Sequence, residues 1–180
     1  MSEPQKTIFL DRDGTLIEEV NFLSSVDDLQ LFPFTREALK LLRSSGFRIV
    51  VITNQSGIAR GIYDEEAMHA IHRQIQIELD GAIDAFYFCP HLPDAGCVCR
   101  KPNIGMIENA KRDFAIDMAN SWMIGDKSLD IEAGQNAEIK TAMVMTGYGR
   151  EQCAILMLKP TLIADDLLEA VSRIIEIQQA

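Results

Sequence analysis

No stretch of this sequence is apolar for long enough to cross a bilayer as a helix, which takes about 20 such residues. The opening Met1 to Lys6 is polar where a secretory signal would carry an apolar segment. A surplus of basic charge is equally missing: 17 Lys and Arg face 27 Asp and Glu, for a net charge of -10. Nucleic acid and anionic membranes carry the same sign as this average surface, so neither fits as the main partner, while a small anion in a locally basic pocket is still admitted. The chain has no internal repeat, low-complexity tract or linker, and 180 residues leave no room for a second full domain. With 47% hydrophobic and 24% charged residues, the composition is far from the disordered class. These absences leave one globular domain, residues 1–180, expected in the cytoplasm and, for want of any unusual exposed face, as a monomer.

Cysteine is scarce but unevenly placed. Cys89, Cys97 and Cys99 fall within eleven residues together with His91, while Cys153 stands apart. In a cytoplasmic chain such clustering points to metal rather than to disulfides. Three thiolates and one imidazole suit tetrahedral zinc, and cysteines separated by a single residue bridge each other poorly. With no carboxylate and no open position needed, the site reads as structural, a zinc loop over 89–99 that stiffens the chain delivering Arg100 and Lys101. Cys153 reads as an inert thiol.

Apolar runs at Thr7–Leu10, Arg48–Ile52, Ala85–Phe88, Ser121–Ile124 and Thr141–Met145 predict strands, with a short sixth at Leu162–Ile163. Helical spacing predicts helices from Thr35 to Ser45, from Asp64 to about Leu79, from Ile104 to Phe114 with Asn103 as cap, and from Leu167 to Ile177. His69 and His72 read as solvated positions of the second helix. Strands alternating with helices predict a Rossmann-like α/β fold, a mainly parallel sheet covered on both faces. In such sheets ligands lie beyond the carboxyl ends of the strands, and Asp11, Thr53 and Asp126 each follow a predicted strand.

The first of these ends is Ile8-Phe9-Leu10-Asp11-Arg12-Asp13-Gly14-Thr15. Positions two apart share a side of an extended backbone, so Asp11 and Asp13 converge while Arg12 points away, and Gly14 lets the chain turn. Taken alone, Asp and Gly after a strand are also an ordinary surface turn. Asp126 and Asp130 read equally as helix capping or as a site. If all four carboxylates gather, they repel one another unless a cation joins them, and oxygen-only ligands favour magnesium. Anion binders surround them: the Thr53 hydroxyl, the amides of Thr53-Asn54-Gln55-Ser56-Gly57, and Arg100-Lys101, which Pro102 holds in place. By itself that basic pair would be an ordinary solvated one.

Asp11-Arg12-Asp13-Gly14-Thr15, Thr53-Asn54-Gln55-Ser56-Gly57, Arg100-Lys101-Pro102 and Gly125-Asp126-Lys127 together resemble the four ordered motifs of the haloacid dehalogenase (HAD) superfamily of phosphatases. Thr53 through Gly61, the Cys89-Pro90-His91 loop and Arg100-Lys101-Pro102 are similar to the heptose bisphosphate phosphatases of that superfamily and to the related histidinol-phosphatases. The resemblance implies Asp11 as nucleophile and Asp13 as acid and base. It implies Mg²⁺ on the Asp11 carboxylate, the Asp13 main-chain oxygen and the Asp126 carboxylate, with Asp130 an outer-shell partner of a lysine. Thr53 and Lys101 would neutralise the transferring phosphoryl group, and Asn54, Gln55, Ser56, Arg60, Arg100 and Lys127 would hold substrate. No room is left for the cap domain of many superfamily members, so selectivity should rest on Glu18–Leu23, Arg60 and the zinc loop. A small phosphorylated sugar is the implied partner: a heptose bisphosphate in lipopolysaccharide precursor synthesis, with histidinol phosphate as the alternative. A zinc-stapled binding protein that has lost catalysis is the reading from another class.

Overall fold

Alternation along one strand sets the layers of the fold. In the computed structural model, which describes residues 3–179, strand β1 (Gln5–Leu10) turns Ile8 and Leu10 to one side and Phe9 to the other. All three are fully buried. Strands β2 (Arg48–Asn54), β3 (Ala85–Cys89), β4 (Ile116–Gly125), β5 (Lys140–Val144) and β6 (Leu162–Ala164) join it in the order β3-β2-β1-β4-β5-β6. Every pairing is parallel. Strands buried on both faces read as continuous apolar runs, which is why the sequence revealed them.

Helices α1 (Thr35–Ser44), α2 (Glu65–Glu78) and α6 (Leu167–Gln179) pack on the Ile8–Leu10 side through residues such as Leu39, Ile71, Ile75 and Val171. On the Phe9 side, α3 (Gly105–Asp113) contributes Met106, Ile107 and Ala110. There α4 (Ser128–Asn136) brings Gly134 so near Met123 and Thr141 that a side chain would collide with them. Asp64 caps α2, accepting the Ala67 N–H at 2.8 Å. Between β1 and β2 lie one 3₁₀ turn and α1, and between β2 and β3 only α2. No helix among the described residues is long and apolar enough to cross a membrane.

Four local readings change. Strand β4 starts at Ile116 rather than Ser121, because Gln5 and Lys6 pair with Ile116 and Asp117 ahead of an irregularity in the register. Asn103 does not cap α3; its amide donates to Cys97 O at 2.7 Å, within the cysteine loop. A short helix α5 (Gly149–Ala154) follows β5. His69 is exposed as expected, but His72 is buried beneath Phe86, the rings stacked 4.4 Å apart.

Candidate active site

Register carries the acidic residues to one edge. Leu10 is paired with Val51 on one side and Ile124 on the other, so Asp11 emerges between the ends of β2 and β4, its N–H bonded to Ile124 O at 3.0 Å. Carboxylate oxygens of Asp11, Asp126 and Asp130 lie within 4.8 Å of one another, all buried. A niche of about 30 Å³ opens onto Asp11, Asp13, Thr53 and Lys101. Beyond it lies a cavity of about 210 Å³ walled by Glu19, Asn21, Phe22, Ser56, Arg100, Lys127 and Tyr148.

Two lysines oppose this negative charge. Lys101 Nζ reaches Asp11 Oδ1 at 2.9 Å, Asp130 Oδ1 at 2.7 Å and Ile52 O at 2.8 Å. Lys127 Nζ lies 3.2 Å from Glu19 Oε2 and 3.9 Å from Asp11 Oδ2, with the Tyr148 ring beside it. Burial alone would raise Asp11, yet Lys101 and Lys127 outweigh it and hold its carboxyl below the ordinary range. Both lysines are raised in turn, the buried carboxylates overcoming the desolvation that works against their charge. Asp126 is compensated less: burial and the charges of Asp11 and Asp130 outweigh Lys127 and the Tyr148 N–H and push it up to about 8. Three enclosed carboxylates, one of them poorly compensated, with oxygen as the only donor, fit a small hard cation such as magnesium.

Glycines fix the position of Asp126. A Cβ on Gly14 would meet its Oδ2 at 2.3 Å and one on Gly147 at 2.4 Å, and both residues have positive φ, 82° and 52°. Tyr148 N donates to the same oxygen at 2.9 Å. The loop Thr146–Gly149 thus belongs to the site although no sequence motif marked it; glycines flanking a tyrosine just after an apolar strand were the available signal.

Asp13 departs most from expectation. Arg12 does not point away. Its guanidinium folds back and forks onto the adjacent carboxylate, Nε to Oδ2 at 2.9 Å and Nη2 to Oδ1 at 3.0 Å. Gly14 ends the extended backbone one residue later, so strict alternation does not persist to this point. Gln55 Nε2 donates to Asp13 Oδ2 at 2.9 Å and to Thr53 Oγ1 at 2.8 Å, while Gln55 Oε1 accepts from Arg12 Nη2 at 3.1 Å and from the Tyr63 hydroxyl. The amide of Gln55 is saturated by the protein. His72 Nε2 lies 3.2 Å from Arg12 Nη1, and burial, Arg12 and His69 press its pKa down to about 3. It is therefore neutral and accepts the guanidinium N–H.

Asn54 pairs with the backbone of Lys101, and Asn54, Gln55, Ser56 and Arg100 all line the outer cavity. Arg60 is not among its walls and lies 5.7 Å from the Phe22 ring. Phe22 and Asn21 are consecutive residues at positive φ, 64° and 54°, a conformation costly for a bulky side chain and typical of segments fixed for function.

Cys89, His91, Cys97 and Cys99 converge at the end of β3. Their ligand atoms are separated by 2.8 Å (Cys89–Cys99), 3.2 Å (His91 Nδ1–Cys99), 3.4 Å (Cys89–His91), 3.5 Å (Cys89–Cys97) and 3.6 Å (Cys97–Cys99). A tetrahedron with Zn–S bonds of 2.3 Å has edges of about 3.7 Å, so the cluster needs little expansion to enclose zinc. Burial opposes ionisation of Cys97, but the Arg100 N–H and the surrounding thiols and imidazole bring it down to about 7. Cys89 is raised, by burial and by Cys99. The donor set and its spacing fit a structural zinc ion.

Comparison with known proteins agrees with this architecture. A family model described as HAD-hydrolase-like matches residues 98–170. The D-glycero-beta-D-manno-heptose-1,7-bisphosphate 7-phosphatase of Pseudomonas aeruginosa is 36% identical over 173 residues, covering 94% of this chain and 97% of its own. The D-glycero-D-manno-heptose-1,7-bisphosphate 7-phosphatase of Thermosynechococcus vestitus is 38% identical over 185 residues, covering 93% and 94%. The crystal structure of the D,D-heptose 1,7-bisphosphate phosphatase of B. bronchiseptica, complexed with magnesium and phosphate, superposes with a TM-score of 0.89 at 34% identity, covering 97% of this chain and 99% of that one.

Proposed function

Because the chain belongs to the HAD-like hydrolases, in the family of D-glycero-D-manno-heptose-1,7-bisphosphate 7-phosphatases, we propose that it removes the 7-phosphate of this sugar by way of an aspartyl-phosphate on Asp11. It is a phosphoric monoester hydrolase. The observation that carries the assignment of roles is the Asp11 carboxylate, buried yet held ionised by Lys101 and Lys127 at the floor of an open cavity.

In this reading a carboxylate oxygen of Asp11 attacks phosphorus. The ester bond to the sugar breaks, its electron pair leaves on the C7 oxygen, and that oxygen takes a proton from Asp13. Water then attacks the aspartyl phosphorus, Asp13 accepts the proton it releases, and the bond to Asp11 breaks to free inorganic phosphate. Two easier displacements replace one hard one, and a positioned acid and base contributes about 10²–10⁴-fold. Thr53 and Lys101 meet the phosphoryl oxygens, and Asp130 keeps Lys101 in place between the steps. Asp11, the Asp13 main-chain oxygen and Asp126 would hold magnesium, which supplies positive charge against the phosphoryl oxygens when bound. Cys89, His91, Cys97 and Cys99 would hold zinc and set the course of the chain into Arg100 and Lys101.

Ser56, Arg100 and Lys127, on the wall of the larger cavity, are available to the sugar and its second phosphate. A bisphosphate draws on more cations than a monophosphate, which favours the heptose substrate over histidinol phosphate. The deciding experiment measures kcat/KM for both compounds in Mg²⁺, with Asp11→Asn as control. Preference for the heptose bisphosphate and loss of turnover in the variant are expected. Faster hydrolysis of histidinol phosphate would overturn the substrate, and an active Asp11→Asn would overturn the nucleophile.

A further inference from the structure

We propose that Arg12 is a positioning residue for Asp13, clamping its carboxylate so that a single oxygen lone pair, on Oδ1, is left to exchange protons with the leaving group and with water. The inference rests on the reading of Asp13 as acid and base.

A carboxylate offers roughly four acceptor sites. On Asp13, Oδ2 takes Arg12 Nε and Gln55 Nε2, both at 2.9 Å, and Oδ1 takes Arg12 Nη2 at 3.0 Å. Three sites are filled and one remains on Oδ1. A two-bond fork fixes the plane of the carboxylate as well as its place. The fork is itself fixed, because Arg12 Nη1 rests on His72 Nε2 at 3.2 Å and Nη2 also reaches Gln55 Oε1 at 3.1 Å. Tyr63 and Thr53 complete the bonds of Gln55. Arg12 is 1% exposed, so substrate has no access to it and its charge serves the interior alone. Replacing a buried ion pair by packed apolar groups is often neutral or stabilising, so stability by itself gives little reason for a guanidinium here. Holding an acid at a defined angle gives one.

Such a role has a signature that packing lacks. Proton donation matters greatly when a sugar alkoxide departs and little when a nitrophenolate does. Arg12→Met, His72→Leu and Asp13→Asn are therefore assayed in Mg²⁺ with heptose bisphosphate and with p-nitrophenyl phosphate, and folding is checked by thermal unfolding. For Arg12→Met, kcat/KM, which reports phosphoryl transfer to Asp11 and not the later attack of water common to both esters, is expected to fall about 10²-fold on the sugar phosphate and less than tenfold on the aryl ester. His72→Leu should show the same selectivity more weakly, and His72→Gln, whose amide oxygen can accept from Arg12, should recover most of it. If Arg12→Met does not fold, the two His72 variants decide. Equal losses of kcat/KM on both esters, or none, overturn the clamp. If Asp13→Asn is itself unselective, the acid role fails and the clamp with it, whereas a selective Asp13→Asn beside unselective Arg12 and His72 variants removes the clamp alone.

Discussion

Asn54 and Lys101 exchange two hydrogen bonds, the Asn54 amide donating to Lys101 O at 3.2 Å and its carbonyl accepting Lys101 N–H at 3.0 Å. One side chain at the end of β2 thus fastens the segment that leaves the cysteine loop. The lysine is aimed by a residue 47 positions away in sequence as well as by its own neighbours.

That pairing makes Asn54→Ala informative. Displacing a catalytic group by about 1 Å can cost 10²-fold, so kcat is expected to drop between about tenfold and 10²-fold, with unaltered zinc content by metal analysis. An unchanged kcat would mean that the bond from Lys101 Nζ to Ile52 O suffices to place the lysine.

Lys101 is 2% exposed and neutralises two enclosed carboxylates. Removing one partner of a buried pair costs about 3–5 kcal/mol through the charge left behind. Urea unfolding of Lys101→Met should show a loss of this order without Mg²⁺ and a smaller one at saturating Mg²⁺, where a cation again accompanies Asp11. Equal stability to the unsubstituted protein would refute the account of the site's electrostatics.

With zinc in the cysteine loop as proposed, metal removal should separate the two sites by their effects. A strong chelator is expected to expose titratable thiols at Cys89, Cys97 and Cys99 and to lower turnover as Arg100 and Lys101 lose their support. Mg²⁺ alone should not restore the rate, while one equivalent of Zn²⁺ should. Full recovery on Mg²⁺ would separate the cysteine loop from catalysis.

His72 gives the fold a dependence on acid. Its pKa is lowered to about 3 in the folded chain against 6.5 when unfolded, so between these values the unfolded state binds the extra proton. Its contribution is complete above about pH 6.5 and is lost as pH falls towards 3, with a slope reaching about 1.4 kcal/mol per pH unit. His72→Gln should flatten this limb in chemical denaturation measured from pH 7 to 4; an identical slope would show that other groups dominate it.

Much of this was legible in the chain. The strands declared themselves because burial on both faces makes them uniformly apolar, and the site because each run stops abruptly at Asp11, Thr53 or Asp126. The candidate zinc donors Cys89, His91, Cys97 and Cys99 were visible because all four lie within eleven residues. What escaped depends on distant partners. Arg12 and His72 look solvated from their neighbours alone, and only a fold that brings positions 12, 55 and 72 together buries them. Gln55 was marked by its motif as a substrate contact, and it does line the outer cavity, but the bonds of its amide to Arg12, Asp13, Thr53 and Tyr63 could not be read from its neighbours. The early start of β4 was hidden by the polar residues Asp117, Asn120 and Ser121.

The place of β1 in the sheet bears on how the molecule fails. Strand β1 lies between β2 and β4, whereas Arg100 and Lys101 follow the exit of β3, an edge strand. Opening free energies rise from edges and loops towards the centre of a sheet. Under mild heat or denaturant the cations should therefore leave before Asp11 is disturbed, giving a species with intact central hydrogen-exchange protection and no capacity for phosphate. Inactivation would then precede unfolding, and cooling would reverse it without refolding the chain.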